Sequence, residues 1–119
     1  MAGSTQATQR NDDLVALHKM LIDANQALNA KLDDVTDPDF ADKIVTEMRE
    51  VVHRIDLVQS LLFTAASNDI ADAVKDVKTA NAGLAASIGA IRKAIDLVNT
   101  LTNFLTLVDE AIDLAKKIP

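Results

Sequence analysis

Ile44, Met48, Val51, Ile55, Val58, Leu62 and Ala65 alternate steps of four and three over three heptads. That spacing gathers all seven on one side of an α-helix and on no single face of a strand. An apolar stripe of this kind needs a partner surface, and the neighbouring stretches repeat the pattern. Leu14, Leu17, Leu21, Ala24, Leu28, Leu32 and Val35 recur at steps of three and four, and Ile70, Val74, Val77, Asn81, Leu84, Ile88, Ile91, Ile95, Val98, Thr102 and Leu105 do the same. The 119 residues include only 3 Gly and 2 Pro, too little punctuation for a chain of many strands and turns. The expected fold class is all-α.

Three sites carry start signals for helices. Asn11-Asp12-Asp13 offers a cap and two carboxylates to the positive end of a first helix. In Thr36-Asp37-Pro38, proline suits the first turn of a second helix, with Thr36 or Asp37 as its cap. Ser67-Asn68-Asp69 caps a third in the same way. The first two helices then run about 24 and about 28 residues, close to 36 and 42 Å at 1.5 Å per residue, whereas an unbroken helix over 70–117 would reach about 70 Å. Two breaks offer themselves, Asn81-Ala82-Gly83 and Asn99-Thr100. The second divides the segment into pieces closer to the other helices and is favoured. The expectation is an antiparallel four-helix bundle over residues 11–119 behind a flexible arm of residues 1–10. The alternative is three helices with an overlong C-terminal helix completed by a partner chain.

Composition removes several functions. With 18 Asp plus Glu against 12 Lys plus Arg the net charge is −6, so no nucleic-acid partner is expected, phosphates requiring a basic surface. Cys is absent, which excludes thiolate metal sites and cysteine nucleophiles. Tyr and Trp are absent too and Phe occurs 3 times, leaving little to stack on bases, sugars or flavins. No apolar run approaches the roughly 20 residues that cross a bilayer, and residues 1 to 10 lack an apolar leader run. A cytoplasmic protein without membrane association is therefore expected.

The candidate chemical motifs are thin. Glu50 and His53 have the Glu-x-x-His spacing that resembles one half of the ligand set in ferritin-like di-iron proteins. A complete site needs two such motifs and two further Glu, yet the chain has only Glu47, Glu50 and Glu110, and His18 follows Val15. Glu50 and His53 also fall away from the main stripe, so they read as surface residues, with no metal expected unless copies of the chain pool half-sites. As a phosphoacceptor, His53 lacks the Lys and Gly that follow the histidine of phosphotransfer domains, and Asp56 opposes a phosphate. The five Asp of residues 33–42 lack the Gly and terminal Glu of a calcium loop and read as helix caps and solvated charge. Asp39, Lys43, Glu47, Glu50 and Arg54 read as surface charges forming weak i,i+4 pairs. No catalytic residue and no cofactor is expected, and the chain reads as a non-enzyme.

Residues 79–91 and 97–108 carry no charge. In the first run Ala82, Ala86 and Ala90, with Ala85 and Gly89, form a small-xxx-small pattern that lets helices approach closely. It reads as tight packing, with Asn81 and Thr102 as polar core positions that fix register; the alternative is a membrane-active helix pair of the pore-forming kind. In the second run Leu97, Leu101, Phe104, Leu107 and Val108 spread around more of the helix than one neighbour covers. They are the expected interface of a homodimer. The functional expectation is a protein-interaction or self-assembly module; a metal-binding bundle on Glu50 and His53 is a further alternative.

Overall fold

A computed structural model describes residues 10–118; the expected flexible arm lies, apart from Arg10, outside these described residues. The helices are α1 (Asp12–Asp34), α2 (Pro38–Gln59), α3 (Asn68–Asn81), α4 (Leu84–Ala90) and α5 (Ala94–Lys116). Their starts follow the local chemistry. The Asn11 side chain accepts from the backbone N–H groups of Asp13 and Leu14, Asp37 accepts from Asp39 N–H with Pro38 opening the helix, and Ser67 Oγ accepts from Ile70 N–H. Each bond satisfies a donor that the first turn of a helix leaves free.

α3 and α4 form one broken rod, so the described residues make the expected antiparallel four-helix bundle. It measures 56 × 21 × 21 Å, the cross-section of two helices by two at the usual 8–10 Å spacing. α1 packs on α2, and α3 packs on α5. The two hairpins join through like-directed helices. Lys31 of α1 reaches Gly89 of α4, and Arg54 of α2 reaches Asp109 of α5, so α1 neighbours the third rod and α2 neighbours α5. The 60–67 link therefore crosses the end of the bundle diagonally. Asn11, 5% exposed, fixes that crossing. Its backbone N–H donates to Leu62 O (2.6 Å), and its side-chain amide donates to the carbonyls of Thr64 (3.1 Å) and Ala65 (3.3 Å).

The core runs the length of the bundle. α1 contributes Leu14, Leu17, Leu21 and Leu28; α2 contributes Phe40, Ile44, Val51 and Val58; α3 and α4 contribute Ile70, Val74, Val77, Leu84 and Ile88; and α5 contributes Leu97, Leu101, Phe104 and Val108. Each side chain so buried stabilises the fold by about 1.5–3 kcal/mol before the entropy of ordering it.

Several expectations are corrected. α2 ends at Gln59 rather than at Ala65, and residues 60–64 turn. On α2 the buried line includes Glu47 (9% exposed), while Met48 and Ile55 are only partly buried. Asn99-Thr100 lies inside α5 and breaks nothing. The third rod bends at Gly83, whose φ of +78° suits a residue without a Cβ, and reverses direction at Ile91–Lys93. The apolar phase slips there. Residues 70, 74, 77, 84 and 88 are buried up to the turn, and 97, 101, 104, 108, 111 and 115 after it, leaving Ile95 66% exposed. The small residues of this stretch do not pack: Ala82 in the break and Ala85, Ala86, Gly89 and Ala90 of α4 face solvent, because α4 rests on α1 through Leu84 and Ile88. Asn81 is half-buried and Thr102 exposed, so neither is a core position.

Candidate functional site

The five expected interface residues sit on α5, but four of them face inward. Leu97, Leu101 and Val108 are fully buried and Phe104 is 2% exposed, all within the chain's own core, and Leu107 packs against that core while partly exposed. Two neighbouring helices, α2 and α3, cover what one would not, so α5 presents no broad apolar surface. Glu50 and His53 are both exposed on α2. Among the described residues no group of three or more His, Cys, Asp or Glu side chains is placed to hold a metal ion, and no helix is long and apolar enough to cross a membrane.

α2 instead presents two different flanks. Toward α1, beyond the core line, Val45, Met48 and Val52 join Leu32 of α1 in an open apolar groove of about 510 Å³. Val52 is 43% exposed. Arg49, His53 and Asp56 form its outer edge, so the groove has an apolar floor and a rim with one fixed charge of each sign. The sequence does carry a signal for it. Val45 and Val52 stand seven apart, one step behind the Ile44–Val51 pair of the core, and so form a second apolar line on the same helix. The α1 flank bordering α2 also holds two buried polar atoms, His18 Nε2 and Asn25 Oδ1, without a hydrogen-bond partner among the described residues.

Toward α5 the flank is charged. Arg54 donates from Nε to Asp109 Oδ1 (2.7 Å) and from Nη2 to Asp109 Oδ2 (3.0 Å), a two-point pairing of guanidinium and carboxylate. Its Nη1 donates to the Glu50 backbone carbonyl (3.0 Å) and to Glu50 Oε2 (3.2 Å). The expected i,i+4 pair with Glu50 is present, and the stronger bond to Asp109, 55 residues away, is what the sequence could not announce. These partners hold the guanidinium above its ordinary pKa, the hydrogen bond to Asp109 contributing most. Burial pushes the Glu47 carboxyl up, with Glu50 adding to the shift and Arg54 and Lys43 opposing it. Thr102 and Thr106 of α5 close the cleft.

No protein-family model, curated protein or solved structure matches the chain.

Proposed function

We propose that the chain is a non-enzymatic, cytoplasmic self-association module that pairs with a second copy through the α1/α2 groove. The apolar groove with Val52 at its centre carries this reading, and it moves the expected interface from α5 to α2. Arg49 and Asp56 flank Val52 and His53 symmetrically in sequence. When α2 packs antiparallel on α2 of a second copy about a two-fold axis between Val52 and His53, Arg49 of each copy stands beside Asp56 of the other. An isologous dimer needs this self-complementarity. Val45, Met48 and Val52 then supply the apolar centre of the contact, and the charges form its rim and fix its register.

The experiment is mass in solution by light scattering at tens of micromolar. A dimer is expected, with Val52→Asp shifting it to monomer. Arg49→Asp and Asp56→Arg should each weaken the dimer, and the double variant should restore it. A monomeric mass for the unaltered chain, or a dimer indifferent to Val52→Asp, overturns the reading.

A further inference from the structure

Glu47 is the one acidic residue among the described residues that the fold largely buries, at 9% exposure, and among those residues no hydrogen bond or ion pair reaches its carboxylate. Its oxygens are not among the buried polar atoms left without a partner, so the carboxylate end faces out of the core. The nearest guanidinium is otherwise engaged, since four of the bonds of Arg54 go to Asp109 and to Glu50. Glu47 opens into a cavity of about 240 Å³ between α2 and α5, whose walls also include Glu50, Arg54, Thr102, Leu105 and Thr106. Lys43, one turn earlier on α2, is exposed and too far away for an ion pair.

The free atoms of this cavity are overwhelmingly acceptors. Both Glu47 oxygens, Glu50 Oε1 and the lone pairs of the Thr102 hydroxyl have no donor assigned to them, whereas Arg54 has little left to give. Leu105 supplies an apolar wall beside them. We infer that this cleft binds a primary ammonium group on a short alkyl chain, with Glu47 as its principal partner, Glu50 and Thr102 as the remaining acceptors, and Leu105 against the alkyl carbons. A primary ammonium brings three N–H donors to three acceptor groups. A divalent cation fits less well, because it requires a shell of several oxygen ligands at fixed short distances and no such group of carboxylates converges among the described residues. The cavity has room for a few carbons beyond the nitrogen, a water molecule taking about 30 Å³. Such an ammonium comes either from a free alkylamine or from a lysine side chain of another protein.

Amide and carboxyl NMR of the full chain, titrated at constant ionic strength, tests the assignment. Three probes are compared: n-butylammonium chloride, Nα-acetyl-lysine methylamide, and tetramethylammonium chloride, which has the charge but no N–H donor. Butylammonium is expected to give saturable shifts confined to Glu47, Glu50, Thr102 and Thr106 and to lower the Glu47 carboxyl pKa. Tetramethylammonium should give none of these. Glu47→Gln, which keeps the shape of the side chain, should weaken binding at least tenfold, and Thr102→Val should weaken it to a smaller degree. Equal shifts from acetyl-lysine methylamide support a protein lysine as the natural source, and binding of butylammonium alone supports a free amine. No localised shift, an equal response to tetramethylammonium, or unchanged binding in a folded Glu47→Gln variant overturns the assignment.

Discussion

The two halves of this bundle look alike in sequence and are built differently. In the α1–α2 hairpin, much of the apolar stripe that can be read from the chain is also the buried one: Leu14, Leu17, Leu21 and Leu28 on α1, and Ile44, Val51 and Val58 on α2. In the second half the apparent stripe runs on from Ile70 to Leu105, yet the chain bends at Gly83 and turns back at Ile91–Lys93, and burial changes phase by one residue, from 98, 102 and 105 to 97, 101 and 104. A continuous 4-3 pattern is therefore evidence for helix, but not for one helix. Two overlapping phases, both mainly apolar, describe a turn as well as they describe a rod.

The largest effect that tests this contrast lies on α5. Phe104→Ala should cost about 3–5 kcal/mol by lost burial and a cavity, whereas Ile95→Ala should stay within about 0.5, although Ile95 belongs to the sequence stripe and Phe104 does not. Urea denaturation of the two variants measures both, and similar costs would restore the single-stripe description. Next comes the residue that ties the halves together. Asn11→Ala removes a helix cap and the donors to Thr64 and Ala65 at once, so a loss of about 2 kcal/mol is expected, at the top of the range for a cap alone.

The two glycines of the broken rod should respond with opposite signs. Gly83→Ala forces a Cβ into a left-handed conformation, at φ +78°, and should destabilise by about 1–2 kcal/mol. Gly89 is helical with open space around the position of a Cβ, so Gly89→Ala should stabilise by up to about 1 kcal/mol. Thermal melts of the pair report both signs, and a loss in each would mean that α4 is packed more closely than its exposure indicates.

The smallest effect is a pH slope. The Glu47 carboxyl is raised in the folded chain, so the folded state holds its proton more tightly than the unfolded state does. That contribution is fully present below the ordinary carboxylate pKa and is lost as pH rises through the folded value of Glu47. Urea midpoints measured across this acidic window should show a smaller decline with rising pH in Glu47→Gln than in the unaltered chain. Identical slopes would mean that Glu47 is as well solvated as a surface carboxylate.

What could be read in advance had a local cause. Asn11, Asp37-Pro38 and Ser67 act within a few residues of themselves, and they mark the three helix starts where the caps form. The turn at Ile91–Lys93 has no Gly, Pro or side-chain cap, Lys93 opening α5 without one, and so carries no local mark. Asn99 and Thr100 resemble a boundary but are tolerated inside a helix, Asn99 exposed and Thr100 partly so. Glu47 in the core line and the Arg54–Asp109 pair depend on which flank of α2 meets α5, a fact of tertiary packing that neither helix encodes alone. The groove centred on Val52 was legible in kind, as a second apolar line one residue behind the first. That it stays open depends on the arrangement of all four rods.

The diagonal crossing at residues 60–67 bears on the order of assembly. Each hairpin closes over a short stretch of chain, but the seam between hairpins joins Lys31 to Gly89 and Arg54 to Asp109, partners 58 and 55 residues apart. Long loops are slower to close and bring their reward late. The hairpins should therefore form early in the folding reaction and dock afterwards, with the Asn11 clamp engaged only when the crossing segment has been laid over the end of the bundle. On that schedule, breaking the Arg54–Asp109 pair speeds unfolding and leaves the refolding rate nearly untouched, so the seam between hairpins determines how long the folded protein lasts.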